Sequence, residues 1–313
     1  MLIKPKYVTN KDLYKIYALA HIVSKILLKH KINYRADAGT LLGIIRHKGN
    51  AIPWDDDVDL VVKECDIDKI INLAPYFNKK GLMITVKYDE PLGEGKKNRQ
   101  IDLRRLQISF INNCKNVKDE FKLYKCYNQG VSLPFLDIIP IREKYNYYTF
   151  SLNWMLKDYP NTKFSKKFFD KRYSKLAKFG PTKLLISKNH EENIKTLINQ
   201  YGKNYNKTAI APIIQHGSTS INFNPIPLDM PNKYDYSSLF QDNLTTAQKH
   251  KYKKLINYDT NKLKKPIFIR FYLDNKEFKR PIYNKTRYTK LKCKTKRKRR
   301  NKGRQKSRKI RNA

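Results

Sequence analysis

No stretch of this chain reads as a membrane span. The best candidate, IYALAHIVSKILL near the N-terminus, is broken by His21 and Lys25 and falls short of the roughly 20 apolar residues a bilayer requires. No signal peptide is visible. Cysteine occurs only at Cys65, Cys114, Cys126 and Cys293, with no C-x-x-C pair, so the thiols suit a reducing compartment and give no disulfide framework. The six histidines are dispersed too, which argues against a zinc site. No internal repeat is present. Acid is also scarce: 27 Asp and Glu face 67 Lys and Arg, for a net charge of +40. That surplus attracts polyanions in general, without separating nucleic acid from anionic membrane, acidic glycan or nucleotide.

What remains is enough for an enzyme. A chain of 313 residues with 40% hydrophobic content can bury the core of one or two globular domains. Lys, Asn, Ile and Tyr are abundant while Gly and Ala are few, a composition expected of an AT-rich genome such as that of a large DNA virus or a parasite. The basic bias peaks in residues 285–313, which hold 16 Lys or Arg and no acid. With almost no apolar residues this tail reads as disordered. Its KTKRKRR run is equally a polyanion-binding stretch, a nuclear address or a solvated tail.

Against that basic background, four aspartates fall within five positions, at Asp55, Asp56, Asp57 and Asp59. Like charge at this density is costly unless a cation sits among it. If DVDLVV is a strand, Asp57 and Asp59 share one face while Val58 and Leu60 point into an apolar layer. A D-x-D pair left open on one side suits Mg²⁺ or Mn²⁺, which take hard oxygen ligands and substrate phosphates. Asp55 and Asp56 then orient, cap or solvate the turn. Upstream, Gly39 and Thr40 precede the apolar LLGII, so the chain is expected to turn there into a short helix whose N-terminus attracts phosphate or is simply capped. Arg46, His47 and Lys48 end that helix, either neutralising a phosphate or complementing the helix dipole. Trp54 reads as a core residue or as a stacking platform for a base or sugar. Asp137 stands alone in the apolar run LPFLDIIPI, where an unpaired charge is expensive. It either pairs with a lysine, caps a turn, or supplies the third acid of the site.

The run GTLLGIIRHKGNAIPWDDDVDL resembles the signature of the LicD/fukutin family, with its G-T-L-L-G, R-H-x-G and I-P-W-D-D-D-I-D elements, and LDIIP resembles its second block. The resemblance is close over residues 8–142 and weaker over 143–255. It implies an α+β fold: a nucleotidyltransferase-like mixed sheet flanked by helices, followed here by a helical basic C-terminal half and a disordered tail. Residues 1–265 would form the domain and 266–284 a connecting segment before the tail.

The implied activity is transfer of phosphocholine, or of a phospho-alditol such as ribitol phosphate, from a CDP-linked donor to a sugar or glycan acceptor, releasing CMP. Asp57, Asp59 and Asp137 would be the catalytic and metal-binding acids. Gly39, Thr40, Arg46, His47, Lys48 and Trp54 would surround the nucleotide and its phosphates. The rival readings are a polynucleotide-directed nucleotidyltransferase acting on RNA and a non-catalytic polyanion-binding protein. Cytoplasmic placement is expected, in a host cell if the chain is viral, with nuclear or virion-associated placement left open.

Periodicity predicts a helix over 10–30, strands near 33–37, 57–62, 82–88, 101–110, 134–140 and 145–150, and helices over 40–47 and 66–75 with Asp66 or Asp68 as cap. PLGEGKKNR at 91–99 reads as a hairpin connection or a phosphate-closing loop. SKKFFDKRYSKLAKFG and EENIKTLINQYG are expected to be helical.

Overall fold

The computed structural model describes residues 10–52, 55–88, 104–111, 134–209, 226–227, 244–259, 269–273 and 276–277. Trp54, the 91–99 loop and the 285–313 tail lie outside the described residues, as do Cys114, Cys126 and Cys293. In chain order the elements are α1 (Asn10–Lys29), β1 (Tyr34–Ala36), α2 (Ala38–Arg46), β2 (Asp57–Lys63), α3 (Ile67–Ile71), α4 (Ala74–Lys79), β3 (Leu82–Tyr88), β4 (Arg104–Phe110), β5 (Phe135–Lys144) and β6 (Tyr147–Phe150). There follow α5 (Asn153–Asp158), β7 (Phe164–Ser165), β8 (Ser174–Phe179), β9 (Thr182–Ser187), α6 (His190–Tyr201), β10 (Thr208–Ala209), β11 (Ile226–Pro227), α7 (Thr246–Ile256), β12 (Ile269–Leu273) and β13 (Lys276–Glu277).

A mixed sheet organises the molecule, with strand order β1-β2-β5-β4-β3-β12-β13 and with β6 and β7 continuing off β5. β2 and β5 run parallel, as do β3 and β12, and the remaining neighbours are antiparallel. Strand alternation explains how the two faces differ. Val58, Leu60 and Val62 of β2, Leu136 and Ile138 of β5, Leu106 and Ile108 of β4, and Leu82, Ile84 and Val86 of β3 are all fully buried and join the main core with α1. On the opposite face the same strands carry Asp57, Asp59, Asp137, Arg105, Gln107, Thr85 and Lys87. That polar face gives way to a second core, where Val61, Ile139 and Ile141 meet Phe150, Phe164, Phe168 and Phe169.

α1 belongs to the main core because Ile16, Leu19, Ala20, Val23 and Leu27 recur on one side and are all fully buried. Tyr17 fastens it to the rest. Its hydroxyl accepts the Ala51 N–H at 3.1 Å, and its ring meets Phe179 edge-on at 5.3 Å. The turn after α2 is clasped in turn by the β8–β9 hairpin, since Gly180 N–H donates to the Gly49 carbonyl at 2.6 Å. Gly43 lets α2 lie against the returning chain: a Cβ there would sit 2.4 Å from the Asn50 carbonyl oxygen.

Three sequence expectations are corrected. SKKFFDKRYSKLAKFG is not helical: residues 171–173 form a 3₁₀ turn and 174–179 form β8, paired with β9. Packing decided this, because Phe179, Leu184 and Ile186 of the hairpin are buried in the main core; EENIKTLINQYG does lie within a helix, α6. The helix expected over 66–75 is broken into a 3₁₀ turn, α3 and α4, with Pro75 in the first turn of α4. Neither candidate aspartate caps α3: Asp66 pairs with Lys69, and Asp68 pairs with the buried Arg104 at 2.7 Å. Finally, Cys65 is disulfide-bonded; spacing along a chain does not show which thiols fold together. Among the described residues no helix is long and apolar enough to cross a membrane.

Gly43→Ala is expected to destabilise the protein by about 1–3 kcal/mol through overpacking. Tyr17→Phe, which orphans the Ala51 N–H, should cost on the order of 1–3 kcal/mol. Urea unfolding midpoints measure both, and an unchanged midpoint for Gly43→Ala would show that the 50–57 segment shifts freely.

Candidate active site

The site begins with two neighbouring parallel strands. In the β2–β5 register Asp57 lies opposite Phe135 and Asp59 opposite Asp137, so the lone acid of LPFLDIIPI arrives beside the D-x-D pair on the same face. Ligand oxygens of Asp57, Asp59 and Asp137 lie within 4.8 Å of one another. A second triplet, Asp55, Asp56 and Asp57, meets the same limit and shares Asp57. Asp57 and Asp137 are only 8% and 7% exposed. Such oxygen-only donors at this separation fit a hard divalent cation, and either triplet could hold one.

Without a cation the arrangement is electrostatically expensive. Burial first, then the Asp57, Asp55 and Asp137 carboxylates, push Asp59 well above the usual carboxylate range. Asp55 is raised for the same reasons, burial before Asp57. A further carboxylate, Asp37, is fully buried and pushed up to about 6 by that burial. Gln200 of α6 donates to its Oδ2 at 3.0 Å, while its Oδ1 has no hydrogen-bond partner. Sequence reasoning passed over Asp37, which stands between β1 and α2 without the clustering that drew attention to positions 55–59.

The Gly39–Thr40 turn holds the acidic strand directly. Thr40 Oγ1 accepts the Asp59 N–H at 2.8 Å, and the Asp59 carbonyl accepts the Asp37 N–H at 3.1 Å. Between them Ala38 adopts φ +43, a left-handed conformation that costs a Cβ-bearing residue about 1–2 kcal/mol. Gly39 makes room for an acid: a Cβ there would lie 2.3 Å from Asp55 Oδ2.

The three basic positions at the end of α2 separate into different roles. Arg46 donates to the Tyr205 carbonyl at 2.9 Å, and burial lowers it to about 10 while Asp55 and Tyr201 favour its charge. His47 is 1% exposed; burial, then Arg46, lowers it to about 3. Burial thus disfavours the charged form of His47, whose imidazole receives the Arg46 Nε–H at 3.4 Å. Lys48 is exposed in the following turn at φ +53.

Groups absent from the sequence reading also face the acids. Arg105 of β4 reaches Asp137 Oδ2 at 3.3 Å. Tyr159 and Tyr201 lie in the same field: both phenols are pushed up, by burial first and next by Asp59. Strand pairing brought Arg105 in, across 32 residues of chain, so no local signal announced it.

Comparison with known proteins accords with this geometry. Residues 31–180 match the model of the LicD/FKTN/FKRP nucleotidyltransferase domain. This stretch is a LicD-type domain. An uncharacterized protein of Rickettsia prowazekii is 33% identical over 87 residues, covering 28% of this chain and 32% of that protein. Another from Rickettsia typhi is 33% identical over 82 residues, 26% of each chain. The lipopolysaccharide cholinephosphotransferase LicD of Haemophilus influenzae is 42% identical over 45 residues, 14% of this chain and 17% of that one. The chain thus spans at most about a third of these relatives' length. The LicD-type stretch ends at the tip of the β8–β9 hairpin, so Gln200 and Tyr201 come from chain beyond it.

Because Asp37, Asp55 and Asp59 are raised, the folded state holds protons that the unfolded chain has released. Stability of the metal-free protein therefore falls as pH rises from about 4, the ordinary carboxylate value, through the raised values. In EDTA, Asp59→Asn is expected to melt above the parent at pH 8, with the gap closing by pH 4. Thermal melts across that range test it; a variant that melts lower at pH 8 would mark Asp59 as a structural partner instead.

Proposed function

We propose that this protein is a metal-dependent transferase of the LicD type, moving phosphocholine or a phospho-alditol such as ribitol phosphate from a CDP-linked donor to a sugar or glycan hydroxyl. The observation that carries the reading is the convergence of Asp57, Asp59 and Asp137 oxygens within 4.8 Å, inside a LicD-type domain. Mg²⁺ or Mn²⁺ held by these acids would supply Lewis-acid stabilisation of charge on the donor's pyrophosphate. In the reaction the acceptor oxygen forms a bond to the distal phosphorus. The bond from that phosphorus to the bridging oxygen breaks, and CMP departs with the electron pair.

The chain's own residues would position these partners. The part-exposed Ala38–Gly39 start of α2 offers the positive end of its dipole to the nucleotide phosphates. Gly39 and Thr40 set that turn, and Arg46 adds charge beside Asp55. Lys48 belongs to the same nucleotide side in this reading, and Trp54 is kept as a nucleotide contact on the strength of the sequence resemblance alone. Asp137 completes the oxygen set or accepts the acceptor's hydroxyl proton; its ion pair with Arg105 favours the ionised form that either role needs. We also take residues 1–265 as the transferase unit and 285–313 as a polyanion-contacting tail.

The strong basic surplus favours one alternative, nucleotidyl transfer to RNA. Labelled CDP-choline or CDP-ribitol with glycan acceptors, set beside labelled CTP with RNA, separates the two. Transfer from the CDP-linked donor should require Mg²⁺ or Mn²⁺, stop with EDTA, and fall by at least about 10³-fold in Asp57→Asn, Asp59→Asn and Asp137→Asn, as for loss of a dominant electrostatic element. Label entering only RNA would defeat the proposal.

A further inference from the structure

Beyond the acids, the polar face of the sheet carries a feature that the acidic site does not account for. Lys87 of β3 and Arg105 of β4 lie directly opposite each other in the antiparallel register. Like charges so placed repel. Both are on the face of the acids, because Thr85 pairs with Gln107 and Gln107 with Asp137, and each cation is two residues along its strand from that row. Among the described residues Asp137 is the one carboxylate that meets them: it takes Arg105 at 3.3 Å and favours the charge of Lys87, which burial and then Arg105 disfavour. Two cations therefore share one acid. If that acid turns to a metal, as the transferase reading requires, both cations face the open side without it.

An aromatic plane stands beside them. The Arg105 guanidinium carbon lies 5.5 Å from the ring centre of Trp154, and that indole is 38% exposed. Trp154 sits at the start of α5, which is anchored by the fully buried Phe150 and Leu152 before it and by Met155 after it. A rigid, part-exposed indole next to paired cations matches a ligand with one apolar flat face and one negative charge. Its position decides which ligand. α2 lies by β1 and β2, on one side of Asp137, whereas β4 and β3 continue the sheet on the other. At about 4.8 Å per strand, the cations stand about 5–10 Å past the triad, away from the nucleotide side.

We propose that Lys87, Arg105 and Trp154 form an acceptor subsite for an acidic sugar, with the ring stacked on the indole and its phosphate or carboxylate held by the two cations. The assignment to the acceptor rests on the transferase reading. These residues would set specificity, selecting acceptors that carry a negative charge within about one sugar of the reacting hydroxyl.

Calorimetric titration of the full chain in Mg²⁺ tests the proposal with glucose 6-phosphate, glucuronate, glucose and CMP as probes. Both acidic sugars should bind and glucose should not. Lys87→Gln, Arg105→Gln and Trp154→Ala should each weaken acidic-sugar binding about tenfold, a loss of about 1.4 kcal/mol, with CMP affinity unchanged; Arg105→Lys should recover much of the loss. Thermal melts of each variant identify any that lose the fold, and Lys87→Gln, at a half-buried position, decides the matter if Arg105 variants do. The proposal is overturned if glucose binds as tightly as the acidic sugars, if Lys87→Gln leaves their binding intact, or if Trp154→Ala weakens CMP, which would assign the indole to the base. Because these titrations need neither donor nor turnover, acidic-sugar binding without any transfer sinks only the transferase reading. Transfer without acidic-sugar preference sinks only the subsite.

Discussion

Mutual repulsion among buried carboxylates is the constraint around which this molecule is arranged. Asp55, Asp57, Asp59 and Asp137 crowd together, and Asp59 and Asp55 are raised accordingly. Such a cluster persists only if the backbone beneath it cannot relax. Here the backbone is two parallel strands whose opposite face, Val58, Leu60, Leu136 and Ile138, is fully buried in the main core. Sliding either strand by one residue would turn those side chains out and the acids in. The hydrophobic face thus fixes the geometry of the charged one.

The residues surrounding the acids in the motif take on meaning from this frame. Thr40 and Asp37 hold both backbone groups of Asp59. Gly39 yields space to the Asp55 carboxylate, and Gly43 yields space to the carbonyl of Asn50 on the segment leading back to the acids. His47 serves as a buried neutral acceptor for Arg46. Residues that read as a phosphate-binding run are, in large part, the clamp that positions the acidic strand β2. The two roles are compatible, because the start of a helix serves anions as well.

Cations approach the acids from two sides. Arg46 stands near Asp55 at the end of α2, and Arg105 with Lys87 stands beyond Asp137. A dense negative centre between two positive flanks suits a reaction in which a metal and two anionic substrates must meet. The basic composition of the whole chain gives no hint of this local order.

The amino-acid sequence by itself determined the elements with strong local signals. Alternation in DVDLVV placed Asp57 and Asp59 on one face, apolar recurrence defined α1, and an acid isolated among Phe135, Leu136, Ile138 and Ile139 marked Asp137. Only the tertiary structure decided which distant groups meet: the Asp59–Asp137 register, Asp37 with Gln200 163 residues away, the cations on β3 and β4, the bonded Cys65, and the hairpin at 174–187 where helix was expected. The reason is physical. Alternation and helical periodicity are properties of neighbouring residues, whereas strand order, register and burial are set by how separate segments exclude water together. The chemistry of this site arises from that second kind of contact.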